Sequence, residues 1–338
     1  MKNVLVTGGA GFIGSHTAVE LVNAGYKPIL IDNFMNSDKS ALSGIEKITG
    51  NKPIFYEHDY QDKEFLLKLF KDHEIDGVIH FAALKAIAES AEKPLLYYHN
   101  NVAGLITLLE AMEGCGVSNL IFSSSATVYG EPDSLPITEG SPVKPAKAPY
   151  GATKQMGEII ISDVAQASKN LRSLALRYFN PIGAHPSGNI GELPRGVPAN
   201  LVPFVTQAAA GLRNELVVFG DDYPTPDGTC IRDYIHVVDL ARAHIKALEF
   251  IADQKSRFYD TCNVGTGTGT SVMEVIKTFE KVTGKKVPYK IGERRTGDIV
   301  QMYAAVDKAH DVIGWKAELG LAEALKDAWN WQEKLSTS

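Results

Sequence analysis

Short apolar runs alternate with longer amphipathic segments through the first half of the chain. The runs are rich in β-branched and aliphatic residues and end in small or polar ones, which predicts buried strands. The segments between them carry apolar residues at helical intervals. The predicted strands are residues 3–7, 27–31, 53–57, 77–81, 119–123 and 172–179, and the predicted helices are residues 16–23, 62–73, 92–112 and 151–168. Strand and helix in alternation, without hairpin signals, predict an α/β fold with a parallel, doubly wound sheet.

The second half of the chain is less regular. Residues 180–203 contain five prolines and four glycines, and apolar residues recur among them, which favours a binding loop. The later pattern predicts strands at residues 216–219, 235–238 and 258–264, and helices at 200–210, 239–251, 271–283, 307–313 and 321–335. A charged loop covers residues 292–298. We therefore expect a first domain of residues 1–180 and a smaller mixed α/β domain of residues 181–338, with some later segments folding back onto the first.

A glycine motif joins the first predicted strand to the first predicted helix. Gly8, Gly11 and Gly14 allow a tight turn, the close approach of a pyrophosphate and close helix packing. Asp32 ends the next strand, 18 positions after Gly14, where a spacing of about 20 is expected. This is the arrangement of a dinucleotide-binding Rossmann fold. The Asp32 carboxylate would accept a hydrogen bond from a ribose 2′-hydroxyl and repel a 2′-phosphate, so NAD is favoured over NADP.

Tyr150 and Lys154 lie four residues apart at the start of a predicted helix. Residues at this spacing share one helix face and are roughly 6 Å apart. An ammonium group beside a phenol favours the phenolate, so we expect Lys154 to lower the pKa of Tyr150 and to make it a general base and acid. Pairs of this kind also occur on solvated helix faces, so neighbouring residues must decide between the two interpretations.

The predicted sheet supplies such neighbours. Gly8, Asp32, Ala82 and Ser125 each follow the end of a strand, and the carboxyl ends of parallel strands form one ligand crevice. Serine after a strand usually caps or turns the chain. Here the crevice brings Ser125 towards Tyr150, where a hydroxyl donor could hold a substrate oxygen that alternates between alcohol and carbonyl.

Composition narrows the class of protein. The 338 residues carry a formal net charge of −6, which argues against a nucleic-acid partner. No apolar run approaches the roughly 20 residues needed to span a membrane, and the N-terminus does not resemble a signal peptide. The three cysteines are far apart and without metal-binding spacing, and the histidines show no ligand spacing either. We expect a cytoplasmic protein without a metal site.

Several longer strings carry a resemblance over residues 4–298. They are VLVTGGAGFIGSHT, HFAALKA, FSSSATVYG, YGATK, LRYFNPIGAHPSG, RDYIHVVDLA and RRTGD. With the glycine motif, Ser125, Tyr150 and Lys154, these strings resemble the extended short-chain dehydrogenase/reductase family, and within it the nucleotide-sugar 4-epimerases. The resemblance implies reversible epimerisation at C4 of UDP-glucose and UDP-galactose, through a transient 4-keto sugar and tightly held NAD, in galactose metabolism. It also implies a homodimer formed through helices near Asn100 and Gly151.

The resemblance assigns further residues to the site. Tyr150 would take the proton of the 4-hydroxyl, Ser125 would bond O4, and Lys154 would hold the cofactor ribose. The cofactor would also contact Phe12, Ile13, Asn33, Asn36, Ser37, Asp59, Tyr60, Phe81, Ala82, Ala83, Lys85, Asn100 and Phe179. The nucleotide sugar would contact Lys85, Asn180, Asn200, Leu201, Val217, Val218, Phe219, Arg232, Tyr234, Arg295, Asp298 and Met302. Arg232 and Arg295 would clamp the pyrophosphate, since arginine forks suit phosphate oxygens.

Alternatives remain within and outside this family. Met302 falls where the resemblance places a wall of the sugar pocket, and its flexible, intermediate size predicts plain hexoses with weak turnover of N-acetylhexosamines. A dehydratase would need an added acid and base beside Ser125, but Ala126 and Thr127 follow it. Decarboxylases and uronate epimerases share the fold. A non-catalytic NAD-binding regulator would also fit the fold, although it would not need Ser125, Tyr150 and Lys154.

Overall fold

Seven parallel strands form the central sheet of the computed structural model, which describes residues 2–295 and 297–337. Thr296, in the predicted charged loop, lies outside the described residues. The elements of the first half, in chain order, are β1 (Asn3–Thr7), α1 (Phe12–Asn23), β2 (Lys27–Asp32), α2 (Ser40–Thr49), β3 (Ile54–Glu57), α3 (Lys63–Asp72), β4 (Gly77–His80), α4 (Ile87–Glu92), α5 (Pro94–Tyr97), a π-helical segment (Tyr98–Ala103), α6 (Gly104–Cys115), β5 (Asn119–Ser123), a 3-10 turn (Ala126–Tyr129), α7 (Pro149–Ala167) and β6 (Arg172–Tyr178). The predicted α/β fold is confirmed.

The second half contributes β7 (Asn180–Ile182), α8 (Leu201–Ala209), β8 (Leu216–Phe219), β9 (Ile231–His236), α9 (Val237–Ala252), β10 (Phe258–Val264), β11 (Gly269–Ser271), α10 (Val272–Thr283), β12 (Tyr289–Gly292), β13 (Gln301–Met302), α11 (Asp307–Ile313) and α12 (Leu321–Thr337). The central sheet has the order β10-β6-β5-β4-β1-β2-β3. Around β9 lie β7, β11 and β13, and β8 pairs with β12. Thus β10 joins the first sheet although it follows residue 180, and the domain boundary at 180 stays a prediction.

The alternation of side chains along the strands builds a core on each face of the sheet. On β1, Val4 and Val6 pack on the side of α1 and α9, whereas Leu5 packs on the side of α3, α6 and α7. Both sides are covered by helices, which is why the strands are apolar throughout. The described helices include none with the length and apolar character that a membrane span requires.

The long helix predicted over residues 92–112 is present but begins at Pro94 and runs to Cys115. It comprises α5, the π-helical segment and α6, and the short α4 precedes it. Pro94 cannot donate the hydrogen bond that would continue α4, so a new helix begins there. The π-helical segment then widens the turn and buries Asn100 and Asn101. Gly104 follows because a Cβ there would lie 2.5 Å from the Tyr60 hydroxyl oxygen.

Two further boundaries differ from the prediction. Helix α1 begins at Phe12 rather than at residue 16, because the glycine turn leads directly into its first turn. The strand predicted at 235–238 is β9, which ends at His236, and α9 follows at Val237. The His236 side chain accepts a hydrogen bond from the Val238 amide and thereby caps α9. Helix α2 carried no prediction.

Candidate active site

The turn between β1 and α1 packs its backbone so closely against neighbouring backbone that side chains would not fit there. Gly8 has a φ of +68°, and a Cβ on it would lie 2.9 Å from the Ala82 amide nitrogen. A Cβ on Gly14 would lie 2.2 Å from the Gly8 carbonyl oxygen. Gly11 precedes α1 without a side-chain cap, so the first amide groups of α1 keep donors for an anion. These features fit a dinucleotide pyrophosphate, as the spacing predicts.

Asp32 organises the next strand end. Its carboxylate accepts hydrogen bonds from the Ser37 hydroxyl at 2.7 Å, the Phe34 amide at 2.9 Å and the Ala10 amide at 3.1 Å. The carboxylate therefore ties the glycine turn to the loop of residues 33–37. In the same region the Asn33 side chain donates to the Asp59 carboxylate at 3.0 Å. The structure thus brings together Asp32, Asn33, Ser37 and Asp59, all of them predicted cofactor contacts.

Arg195, which the sequence did not indicate, holds this loop by hydrogen bonds from a distant segment of the chain. Its guanidinium donates to the carbonyl oxygens of Phe34 and Ser37 at 2.8 Å each and of Met35 at 3.0 Å. Arg195 lies in the proline- and glycine-containing segment about 160 residues further along the chain. The sequence holds no local signal for such a contact. The arginine stabilises the backbone that follows Asp32.

Another missed residue, Asn101, joins the strand end after β4 to α7. The Asn101 side chain accepts from the Leu84 amide and donates to the Leu84 carbonyl, both at 2.9 Å. It also donates to the Thr153 hydroxyl at 3.1 Å, and Thr153 donates to the Tyr150 carbonyl at 2.7 Å. The neighbouring Asn100 receives a hydrogen bond from the Tyr60 hydroxyl on its carbonyl oxygen. The π-helical segment therefore positions both predicted and missed site residues.

Tyr150 is buried on the first turn of α7, in contact with an apolar group formed with Leu84 and Tyr97. Burial raises the pKa of the Tyr150 phenol above its ordinary value, and the neighbouring Ser125 side chain opposes that shift. The predicted lowering of this pKa is therefore not found in the structure, where the loss of solvation is the largest influence. Ser125 and Tyr150 do meet, as predicted from the shared crevice.

Lys154 is buried one turn further along α7. Its ammonium donates to the Ser123 carbonyl at 2.6 Å and lies 5.0 Å from the centre of the Phe122 ring. Burial lowers the pKa of Lys154 to about 8, and the Glu158 carboxylate acts in the opposite direction. The Lys154 ammonium group therefore loses its proton at a pH much nearer to neutral than an exposed lysine does. The described residues contain no group of three His, Cys, Asp or Glu side chains arranged to hold a metal ion.

The predicted sugar-side residues fall into two groups. In the first, Met302 and Phe179 pack with Ala126, Val128 and Tyr129 in one apolar cluster beside Ser125. Met302 is 7% exposed, and it pairs in register with Arg232 on β9. This group brings the predicted pocket wall next to the segment that carries Ser125.

The second group of predicted sugar-side residues contains two arginines that contact residues 298 and 299. Arg232 donates to the Ile299 carbonyl at 2.6 Å, and Arg295 pairs with the adjacent Asp298 carboxylate at 2.7 Å. The Arg295 guanidinium also lies 5.4 Å from the centre of the Phe219 ring. Both arginines therefore contact one short segment, which supports their assignment to one anionic group.

The remaining predicted contacts lie after β4 and on or beside β7, α8, β8 and β9. Glu192 accepts from Lys85 at 3.4 Å and from Asn200 at 2.6 Å, so it joins two predicted residues. Asn180 on β7 pairs in register with Tyr234 on β9. Val217 and Val218 lie on β8, and Leu201 begins α8 after the Asn200 cap. Glu192 itself was not predicted, and nothing in its local sequence singles it out.

The doubly wound sheet, the glycine turn with Asp32, and the group of Ser125, Tyr150 and Lys154 define an extended short-chain dehydrogenase/reductase. A family model described as GDP-mannose 4,6 dehydratase matches residues 5–328. UDP-glucose 4-epimerase of Bacillus subtilis (strain 168) is 54% identical over 329 residues, which cover 97% of this chain and 96% of that protein.

Solved structures agree with this relative. The crystal structure of UDP-glucose-4-epimerase from Stenotrophomonas maltophila, with bound NAD and formylated UDP-arabinopyranose, has a TM-score of 0.97 and 49% identity, covering 100% of this chain and 99% of that one. The enzyme from Bifidobacterium longum, in complex with NAD+ and UDP, gives 0.94 and 49%, covering 98% of both chains. The chain belongs to the UDP-glucose 4-epimerase family. The predicted family and enzyme class are confirmed.

Proposed function

We propose that the protein interconverts UDP-glucose and UDP-galactose by reversible epimerisation at C4, with NAD as its cofactor. The observation that carries the proposal is the buried Tyr150 phenol, with Ser125 beside it, at the strand ends that also carry the glycine turn and Asp32. In this proposal the phenol is the acid/base group and the Ser125 hydroxyl is the donor. A site of this kind suits an alcohol that becomes a carbonyl and then an alcohol again.

The residues of the turn and of the adjacent strand ends fit NAD. The turn through Gly8, Gly11 and Gly14 would hold the pyrophosphate, and the Asp32 carboxylate would accept from the adenosine ribose. Phe12, Ile13, Asn36, Phe81, Ala82 and Ala83 are further proposed contacts along these strand ends. Bound NAD supplies the acceptor for the C4 hydride and its return to the sugar.

Three side chains handle the proton of the sugar 4-hydroxyl. The Ser125 hydroxyl would donate to O4 and orient it towards the phenol. Tyr150 would take the proton as the 4-keto sugar forms and return it when the opposite epimer is made. Its raised pKa keeps the phenol protonated and makes it a weak acid, so the base role requires positive charge nearby that favours the phenolate. The Lys154 ammonium, one turn away, is the protein group that would supply it. General acid–base catalysis of this kind typically contributes about 10²–10⁴-fold.

The sugar nucleotide would occupy the opening next to these residues. Arg232 and Arg295 would bind the pyrophosphate of UDP, because guanidinium groups bind phosphate oxygens bidentately. The hexose would then lie between the segment that carries Ser125 and the wall formed by Met302. Because Met302 packs inside an apolar cluster, we propose that the pocket prefers plain hexoses and turns over N-acetylhexosamines weakly.

Two other functions are less well supported. The matched family model carries a dehydratase name, but Ala126 and Thr127 follow Ser125 and provide neither of the carboxyl groups that water elimination needs. A non-catalytic NAD-binding regulator has no use for the acid/base group Tyr150 beside Ser125. A galactose-metabolising epimerase accounts for both features.

The test is a coupled assay with UDP-galactose and UDP-N-acetylgalactosamine, without added NAD. We expect turnover of UDP-galactose by wild type, and loss of about 10²–10⁴-fold in kcat for Tyr150→Phe with bound NAD retained. Tyr26→Phe is the matched control, because that hydroxyl contacts Glu249 outside the site. Near-normal turnover by Tyr150→Phe would contradict the assignment of the base. Equal kcat/KM for the two substrates would contradict the predicted preference.

We also propose a cytoplasmic homodimer. Large apolar side chains are exposed together on the neighbouring α4, α5, α6 and α7: Ile87, Leu95, Leu96, Ile106, Met156 and Ile159. Exposed apolar patches of this kind are typical of protein–protein contacts. The same helices are those through which the resemblance predicts dimers, so a second copy of the chain is the proposed partner. The cytoplasmic location rests on the three unpaired cysteines, which suit a reducing compartment.

A further inference from the structure

A buried ion pair lies directly behind the proposed catalytic residues. Glu158 on α7 and Arg177 on β6 form a two-pronged contact, with Nε to Oε1 at 2.9 Å and Nη2 to Oε2 at 2.6 Å. Their side chains are 8% and 7% exposed. Glu158 is one helical turn beyond Lys154 and two beyond Tyr150. Ion pairs of this kind are costly to bury, so their presence beside a site calls for an explanation.

The pair holds the segment that carries Ser125. Glu158 accepts a hydrogen bond from the Ser124 hydroxyl at 2.6 Å, on the residue immediately before Ser125. Arg177 donates to the Tyr129 hydroxyl at 3.0 Å, at the end of the 3-10 turn that Ser125 begins. Both ends of the segment are therefore attached to the same ion pair.

Helix α7 contacts the same segment at two more points. The Lys154 ammonium donates to the Ser123 carbonyl at 2.6 Å, and the Gln155 side chain donates to the Val128 carbonyl at 2.9 Å. With Glu158, these residues form one edge of α7 that contacts the segment along its length. Because Tyr150 begins the same helix, the distance between the Ser125 hydroxyl and the phenol depends on this edge.

We propose that Glu158, paired with Arg177, is a positioning residue that fixes Ser125 relative to Tyr150 and Lys154 through its bond to Ser124. The inference rests on the proposed epimerase function and adds a residue that does not contact the reacting atoms. Misplacement of catalytic groups by about 1 Å can cost 10²-fold in rate, so a rigid attachment at this point has a kinetic consequence. The effect falls on kcat, because the attachment does not touch the nucleotide.

Glu158 has a second, electrostatic influence on the same helix. Its negative charge raises the pKa of Lys154, which burial otherwise lowers. The other titratable and charged groups around Lys154 are His80 on β4, Tyr150 on α7, and Arg177 and Tyr178 on β6. Burial lowers the pKa of His80 to about 3, so this histidine carries no charge in the relevant range. Removal of the Glu158 charge should therefore let Lys154 lose its proton at a lower pH.

Three variants separate positioning from folding. Ser124→Ala removes only the hydroxyl that reaches Glu158. Glu158→Gln removes the charge and leaves Arg177 buried without its counter-ion, which destabilises the protein. The double variant Glu158→Leu with Arg177→Met removes both charges, and such apolar replacements of a buried pair often preserve stability. Glu20→Gln is the control, because it disrupts a Glu–Arg pair between α1 and α9, away from the site.

The readouts are kcat, KM, bound NAD, melting temperature and the pH profile of kcat. We expect Ser124→Ala to lower kcat about tenfold with KM within twofold and NAD retained. The double variant should recover the melting temperature but not kcat. In Glu158→Gln, which removes the negative charge alone, the alkaline loss of activity should begin at a lower pH than in wild type. The Glu20→Gln control should change neither kcat nor the pH profile.

The outcomes distinguish the two proposals. If wild type fails to interconvert the UDP-hexoses, the proposed function is contradicted and the positioning role with it. If wild type is active and Ser124→Ala keeps its kcat, the positioning role is overturned while the function stands. A double variant whose kcat recovers together with its melting temperature would likewise overturn the role, since the pair would then serve stability alone.

Discussion

Lys154 shows how a single residue can oppose the stability of the fold that carries it. The folded protein lowers the pKa of Lys154 from 10.5 to about 8, because its ammonium is almost completely removed from water. Each pKa unit corresponds to about 1.4 kcal/mol, so keeping the charge buried at neutral pH costs the fold about 3 kcal/mol. A residue that only served packing would not carry this penalty, which supports a role in chemistry.

Lys154→Met should therefore stabilise the protein and inactivate it. At pH 7, with NAD removed, we expect the free energy of unfolding to rise by about 2 kcal/mol, since the lost bond to the Ser123 carbonyl offsets about 1 kcal/mol. Between pH 8 and 10.5 the unfolded wild type binds more protons than the folded protein, so wild type gains stability as pH rises and the difference shrinks. Urea unfolding of both proteins across this range measures the effect.

The control for this prediction is Lys246→Met. Lys246 is about half exposed and pairs with Glu249 on the surface, where such pairs contribute little. Its substitution should leave the free energy of unfolding nearly unchanged at every pH. If Lys154→Met is destabilising at pH 7, the buried ammonium does not carry the penalty inferred from its lowered pKa.

At the scale of elements, the structure separates what local sequence determines from what it does not. The apolar strands, the glycine turn with Asp32, and the Tyr150–Lys154 spacing depend on neighbouring residues, and all were predictable. The π-helical segment within the helix of residues 94–115 was not, because it fits contacts with Tyr60 and Leu84 that come from other elements. The direction of the Tyr150 pKa shift was also unpredictable, because burial is a property of the packed fold.

The loop after β2 gives an element-scale prediction. Arg195→Ala removes three hydrogen bonds to the carbonyls of Phe34, Met35 and Ser37, so the loop that follows Asp32 should become more mobile. At about 1 kcal/mol for the net loss, NAD should bind about five- to tenfold more weakly, and kcat at saturating NAD should be retained. Calorimetric titration of the NAD-stripped protein with NAD measures the affinity.

A matched control contacts the same proline-containing region from outside it. Arg213 also donates to a backbone carbonyl, that of Gly196, but it does not contact the loop after Asp32. Arg213→Ala should leave NAD affinity unchanged. Equal affinity of wild type and Arg195→Ala would show that the loop keeps its conformation without the arginine.

At the scale of the whole molecule, the late part of the chain is built into the first sheet. Strand β10 pairs with β6 along Phe258–Val264, and α9 packs against α1. Arg232 precedes β10 in the chain, and Arg295 and Met302 follow it. The segments that carry these residues are therefore connected through β10 to the sheet with the glycine turn. Because of this connection, the residues proposed for the sugar side are tied through the sheet to Ser125 and Tyr150, as a substrate that turns over between two hydride transfers would require.

The proposed homodimer is the prediction that concerns the whole assembly. Leu95 is 81% exposed on α5, directly before the segment that carries Asn101, and Ile159 is 59% exposed on α7, the helix that carries Tyr150. A glutamate at either position would have to be desolvated at the interface, so Leu95→Glu and Ile159→Glu should yield monomers where wild type forms dimers.

Leu212→Glu is the matched control, because Leu212 is 61% exposed outside the patch and its substitution should leave the dimer intact. Sedimentation velocity at several protein concentrations measures the mass. A wild-type protein that stays monomeric at micromolar concentration, or variants that remain dimeric, would show that this patch has another role.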